Sequence, residues 1–320
     1  MNFSTNPIPK IFWSKSGKNG QNFGDCITYY IYQKKTGKSL DCADKPYTIK
    51  ENFLRLIKYT LFCIGFKFSD LFISKKSLRT FAYLGINFLL SIKRVIYIKN
   101  NLEDTIYGCG SILRHSNGCK NVIIWGSGII SSKDNFSRPK KILCVRGPLT
   151  RKRFLELGYE CPKQYGDPGL LLPKFHSPKS LKKFEIGVIP HFQDFEICQK
   201  IFLNLKNIKI IDVCKNIENV IDEIYECEMT ISSSLHGIIT SHAYGIKSCW
   251  VKFSNALEGD GIKFLDYYYS IELKDVTSPI EMDKMDFQNL NIENLKNLVN
   301  HYPNPKFPIN TKKLFKTIPF

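Results

Sequence analysis

Residues 229–245, MTISSSLHGIITSHAYG, carry the side chains best placed in this sequence to do chemistry. An apolar run from Met229 to Ile231 gives way to three serines, then Leu235, His236 and Gly237, then Ile238, Ile239 and Ala243 at helical spacing. The pattern predicts strand, tight loop and helix, with His236 where the helix begins. In an open α/β sheet, ligands gather at the carboxyl ends of strands, and the first N–H groups of the next helix favour anions. An imidazole, with an unperturbed pKa of roughly 6.5, can donate to such an anion or exchange a proton with it. The same residues also fit a serine N-cap beside a histidine bonded to backbone, so the loop alone leaves both open.

Other candidates fall at comparable junctions. A loop ends in Asn22-Phe23-Gly24-Asp25, and Asp25 opens a helix-like run through Ile27, Tyr30 and Ile31; the glycine permits close backbone approach, and Asn and Asp supply acceptors beside helix amides, or Asp25 merely caps its helix. Arg146 ends the apolar run Lys141 to Arg146, with Pro148 suited to the first turn of the following helix. Its guanidinium fork can grip a carboxylate or phosphate, or pair with a nearby acid. Asp167 lies in the turn Tyr165-Gly166-Asp167-Pro168-Gly169, facing a cleft or closing an Asx turn. After Gly259-Asp260-Gly261, a helix starting at Lys263 would carry Lys263 and Asp266 to the same edge, and Tyr267 to Tyr269 suit either a sugar ring or the core.

Positioning these residues takes a repeated β-α scaffold. Strands are predicted at Ile11–Trp13, Thr105–Gly110, Val122–Gly128 and Lys141–Arg146, the middle two ending in G-x-G without completing a dinucleotide fingerprint or P-loop. From Phe184 onward the order is strand 186–189, helix 195–205, strand 208–213, helix 217–227, strand 229–231, the His236 loop and helix, then strand 248–251. Such alternation implies parallel sheets. The expected fold is α/β with two Rossmann-like domains facing a cleft: residues 1–173, with a basic and apolar insertion at about 51–100, and residues 174–320, with a helix at 286–299 and an extended C-terminal tail.

The chain of 320 residues is 43% hydrophobic, enough for a substantial core, and carries 46 Lys+Arg against 29 Asp+Glu, a net charge of +17. Residues 51–100 concentrate that excess, interleaving basic with Phe, Leu, Ile and Tyr side chains and including the acids Glu51 and Asp70. Their longest uncharged run, Thr80 to Ile92, is shorter than the roughly 20 residues of a spanning helix. The mixture suits an anionic membrane surface or a helical excursion with solvated lysines. No recognisable nucleic-acid reading module accompanies the charge, so nucleic acid is not an expected partner. The 11 cysteines show no C-x-x-C pair and no zinc spacing, and no secretory pattern opens the sequence; the expectation is a reducing, cytoplasmic location, with the inner face of the plasma membrane in reach through residues 51–100.

Several motifs in order, Asn22-Phe23-Gly24-Asp25, Gly108-Cys109-Gly110-Ser111-Ile112-Leu113, Trp125-Gly126-Ser127-Gly128, Arg146-Gly147-Pro148, Gly166-Asp167-Pro168, Ser232-Ser233-Ser234-Leu235-His236-Gly237 and His242-Ala243-Tyr244-Gly245, resemble the polysaccharide pyruvyl transferases over roughly residues 10–275. The resemblance implies a GT-B-like fold, phosphoenolpyruvate as donor and co-substrate with no other cofactor and no metal, and a sugar hydroxyl pair as acceptor, converted to a pyruvate ketal. It implies donor binding by Arg146, Ser234, Leu235, His236, Gly237 and Lys263, with His236 as the acid or a phosphate-facing donor and Asp25 as the base or a ligand of the acceptor hydroxyl. Asn22, Gly24, Asp167 and Tyr267 would line the acceptor side. Some family members carry a basic residue where this chain has Ser234, a cation that Lys263 could replace. The acceptor would be a sugar or lipid-linked glycan of a bacterial surface polysaccharide. Two rival expectations are a nucleotide-sugar glycosyltransferase on the same fold and a non-catalytic scaffold of a glycan assembly complex.

Overall fold

The computed structural model describes residues 10–12, 22–39, 104–285 and 290–320. The basic and apolar block at 51–100 lies outside the described residues. Elements are numbered below over the described parts. Strands β1 (Lys10–Phe12), β2 (Thr105–Tyr107), β3 (Val122–Trp125) and β4 (Lys141–Cys144) form one parallel sheet in chain order. Strands β5 (Phe184–Ile189), β6 (Ile208–Ile210), β7 (Cys227–Ser232), β8 (Lys247–Lys252) and β9 (Ile280–Glu281) form a second, all parallel, in the order β6-β5-β7-β8-β9. The strand order reverses between β5 and β7, which places a crevice beyond their carboxyl ends.

The helices are α1 (Phe23–Thr36), α2 (Pro148–Glu156), α3 (Phe195–Ile201), α4 (Ile217–Tyr225), α5 (Leu235–Ala243), α6 (Ile262–Ser270), α7 (Ile292–His301) and α8 (Lys312–Lys316). Local chemistry sets their ends. Asn22 caps α1 by accepting from the Gly24 N–H at 3.1 Å, and Gly37 closes it in the left-handed region at φ 70°. Asn216 caps α4 in the same way, accepting from the Glu218 N–H at 2.9 Å. Helix α4 is rich in β-branched residues, each costing up to about 0.7 kcal/mol in helix propensity, yet burial of Val220, Ile221 and Ile224 returns about 1.5–3 kcal/mol apiece. Packing wins there. The helix ends before Cys227 because that residue starts β7, paired with Phe184.

One apolar cluster contains buried residues from both halves of the chain, including Ile27 and Ile31 of α1, Trp125 of β3, Val220 of α4, Ile238 of α5 and Tyr267 of α6. Pro168–Lys174, where the sequence marks a turn and domain boundary, forms a 3-10 helix with Leu170, Leu171 and Leu172 buried in that cluster. The expected extended tail includes α8, whose Leu314 is buried, and ends with Phe320 edge-on to Trp125 at 5.6 Å. Among the described residues no helix is long and apolar enough to cross a membrane.

Candidate functional site

Strand β7 runs straight into the His236 loop, as its sequence predicts. Ser232 Oγ accepts from the Ser234 N–H at 3.0 Å and lies 2.8 Å from the carbonyls of Ile189 and Ser234, tying the turn to the end of β5. Ser234 caps α5, its hydroxyl oxygen accepting from the Gly237 N–H at 3.4 Å. The capping bond engages the Gly237 N–H, while the Ser234 hydroxyl keeps its own proton to donate. Leu235 and His236 contribute the first-turn N–H groups, which no carbonyl within the helix can reach. A side chain at Gly237 would press within 2.5 Å of Ser232 Oγ and 2.7 Å of Ile189 Cγ2, so the close turn requires glycine.

The His236 ring lies against the start of α1. A side-chain carbon at Gly24 would overlap it, and Phe23 meets it edge-on at 6.5 Å. On its other side, Nε2 lies 3.1 Å from Cys109 Sγ and 3.9 Å from Asp167 Oδ2. Cys109, just beyond β2, donates to Asp167 Oδ1 at 2.9 Å, and its N–H donates to Thr28 Oγ1 at 2.6 Å. Asp167 is fully buried, and its Oδ1 also accepts from the Gly169 N–H at 2.9 Å. Loops from both sheets and the α1 N-terminus thus converge on one imidazole. Gly24, Asp167 and His236 are brought together, with Asp25 acting electrostatically on Cys109 and Lys263; Cys109 joins them although the sequence marked it only as part of a motif.

Burial lowers the His236 pKa below the ordinary histidine value; Asp167 pulls the other way, while Arg146 and Lys263 push it further down. The ring is therefore neutral near pH 7. Lys263, in α6, has its ammonium pKa lowered to about 8, first by burial, then by Arg146, with Glu258 and Asp25 opposing and Arg114 adding repulsion. His191, just past β5, is lowered to about 4 by burial and by Lys263. Lys263 pushes both imidazoles towards the neutral form, so the charge here rests on Lys263 and the histidines stand beside it as neutral groups. Lys263 makes a long 3.5 Å contact to the Glu258 carbonyl, whose carboxylate is engaged by the Arg114 fork at 2.5 and 2.9 Å.

Three expectations are corrected. Arg146 does not project from the sheet edge as a ligand fork: it is fully buried, and Nε donates to Asp266 at 3.1 Å, one terminal nitrogen to Ser111 Oγ at 2.6 Å and the other to the Ile129 carbonyl at 2.6 Å. Asp266, also fully buried, accepts from the Thr150 N–H at 2.8 Å and the Thr150 hydroxyl at 2.6 Å. Gly128 and Gly147 leave room for this pair, since a side-chain carbon at either would overlap it. Asp266 accordingly does not face a cleft. Tyr267 is likewise core, not a sugar platform: it is fully buried with its hydroxyl 2.9 Å from His242 Nδ1, and Tyr268 is buried beside it.

An uncharacterized protein of Acanthamoeba polyphaga mimivirus is 32% identical over 167 residues, 49% of this chain and 57% of the relative, so the chain spans little more than half the length of that relative. A crystal structure of a functionally uncharacterized Klebsiella pneumoniae protein aligns at a TM-score of 0.42 and 13% identity, covering 86% of this chain and 92% of the other. The polysaccharide pyruvyl transferase family profile matches residues 27–255, well over half of the sequence, and the chain belongs to that family.

Proposed function

We propose that the protein transfers the pyruvyl group of phosphoenolpyruvate to a hydroxyl pair of a sugar in a surface-polysaccharide precursor, releasing phosphate and leaving a pyruvate ketal. The observation that carries this reading is the partly desolvated Lys263 among Arg146, His191 and His236, next to the first amides of α5. A desolvated ammonium is relieved by a bound anion, neutral imidazoles and helix amides can donate to it, and phosphoenolpyruvate brings a phosphate and a carboxylate within a few atoms. The division near residue 173 into two GT-B-like domains, with the donor held between them, belongs to the same proposal.

The reaction needs a proton on the methylene carbon, attack by one hydroxyl oxygen at the adjacent carbon, and loss of phosphate as the second hydroxyl closes the ring. The first hydroxyl's proton goes to carbon and the second's leaves with phosphate, so no net proton is consumed. Asp25, at the α1 N-terminus on the acceptor side, can accept the first proton and return it to carbon, while the neutral His236 ring donates its N–H to the donor phosphate. Cys109 and Asp167 hold the ring from its Nε2 edge. In His236→Ala, turnover should be lost while phosphoenolpyruvate still binds through Lys263 and the helix amides. Full turnover in that variant would refute the assignment.

A further inference from the structure

Cys109, Asp167 and His236 form a cluster whose chemistry goes beyond orienting a ring. One ligand atom from each lies within 4.8 Å of the others; Sγ is 3.1 Å from Nε2, and the Asp167 carboxylate meets the two through different oxygens, Oδ1 at 2.9 Å from Sγ and Oδ2 at 3.9 Å from Nε2. Around a tetrahedral zinc ion, with bonds of about 2.3 Å to sulfur and about 2.1 Å to nitrogen or oxygen, the matching edges come to roughly 3.5 Å and 3.3 Å. Opening the Sγ–Nε2 edge by about half an ångström and turning the Asp167 carboxylate to present one oxygen to both partners would bring the triangle to that geometry.

A second observation points to a ligand. Asp167 Oδ2 is buried, has no hydrogen-bond partner among the described residues, and lies on the side of the carboxylate that faces His236. A buried carboxylate oxygen left in this state is costly, and a cation would satisfy it. Charge also balances: a divalent ion with one thiolate, one carboxylate and a neutral imidazole is neutral overall, which suits a dry site. Cys109 is 2% exposed and Asp167 fully buried, but the His236 side chain keeps 11% of its surface accessible and supplies an entry edge.

We propose that Cys109, Asp167 and His236 bind a thiophilic divalent cation of the zinc class, with three protein ligands and the remaining position open towards His236's accessible edge. Binding forms the metal–sulfur bond and releases the Cys109 thiol proton to solvent; the carboxylate and imidazole bind through lone pairs, and nothing is oxidised or reduced. Sequence spacing gave no sign of this site because its ligands are 58 and 127 residues apart along the chain, measured from Cys109.

The test is cobalt(II) titration of the metal-stripped full chain, followed by zinc competition. A near-ultraviolet thiolate-to-cobalt charge-transfer band should appear and be displaced by zinc. It should vanish in Cys109→Ser, and affinity should fall about tenfold or more in Asp167→Asn, while Cys119→Ser changes nothing. Absence of the band in the wild type, or its survival in Cys109→Ser, would overturn the proposal. X-ray absorption of the zinc-loaded wild type requires no variant to fold. A shell of one sulfur with nitrogen and oxygen ligands supports the site, and a shell without sulfur or with several sulfurs overturns it. Neither readout involves phosphoenolpyruvate, so failure of the transfer reading would leave these results unaffected.

Discussion

Arg146 and Lys263 are two cations near the same end of the molecule, and the fold treats them differently. Arg146 has no exposed surface, and Asp266, Ser111 and Ile129 occupy its guanidinium, while α2 and α6 are bound together through Thr150 and Asp266. Lys263 is half-buried, short of strong partners and repelled by its neighbours. The first arrangement resembles a bolt between two segments of chain; the second leaves a charge for something outside the chain to answer. A basic residue at a strand end is therefore a poor guide to a ligand until its partners are known.

The largest expected effect is on the bolt. Asp266→Ala leaves a buried guanidinium uncompensated and should lower unfolding stability by about 3–5 kcal/mol in denaturant titration, whereas Lys263→Met should fall within about 0.5 kcal/mol of wild type. Equal losses would erase the distinction between the two cations. On the ligand side, Lys263 loses its proton as pH rises through about 8. Phosphoenolpyruvate affinity by calorimetry should then weaken by up to about tenfold per pH unit above that point, with the groups facing Lys263 being Arg146, Arg114, Glu258 and Asp25. Lys263→Met should bind weakly and without that dependence.

A third prediction separates core histidine from site histidine. Burial lowers His242 to about 4, below an unfolded value of roughly 6.5, so the unfolded chain binds more protons between these values and stability is lost as pH falls through them. His242→Gln should flatten that acid slope by up to about 1.4 kcal/mol per pH unit, whatever its effect at neutral pH. The smallest effect is expected at the α1 cap: Asn22→Ala should cost about 1 kcal/mol in the same titration. A larger fall in turnover than in stability there would show that the cap also sets Gly24 against His236.

Element order was legible because hydrophobic periodicity and cap residues are local signals: the β-α alternation after Phe184 and the serines before α5 carried over into structure, while α1, expected to open at Asp25, begins at Phe23 with Asn22 as its cap. Element ends were less so. The helix expected to 205 stops at Ile201, and the run expected as strand to Val213 pairs only to Ile210, since pairing partners decide where a strand ends. The site divides in the same way. His236 at a helix start is a local fact, but Arg146 meets Asp266 across 120 positions and Cys109 meets His236 across 127, and no spacing rule links such residues. Tyr267 was ambiguous because an aromatic at helical spacing serves core and ligand alike; the His242 imidazole beside it decides for the core.

The central claim is that an anionic donor sits at Lys263 and the α5 N-terminus. The most direct measurement is thermal unfolding of wild type and Lys263→Met with phosphoenolpyruvate, inorganic phosphate and a panel of nucleotide sugars. At about 100 times its dissociation constant, a ligand should stabilise the native state by roughly 2.7 kcal/mol. Stabilisation of the wild type by phosphoenolpyruvate, greatly reduced in Lys263→Met, is the predicted result. Stabilisation by a nucleotide sugar but not by phosphoenolpyruvate, or an equal phosphoenolpyruvate effect in both proteins, would contradict it.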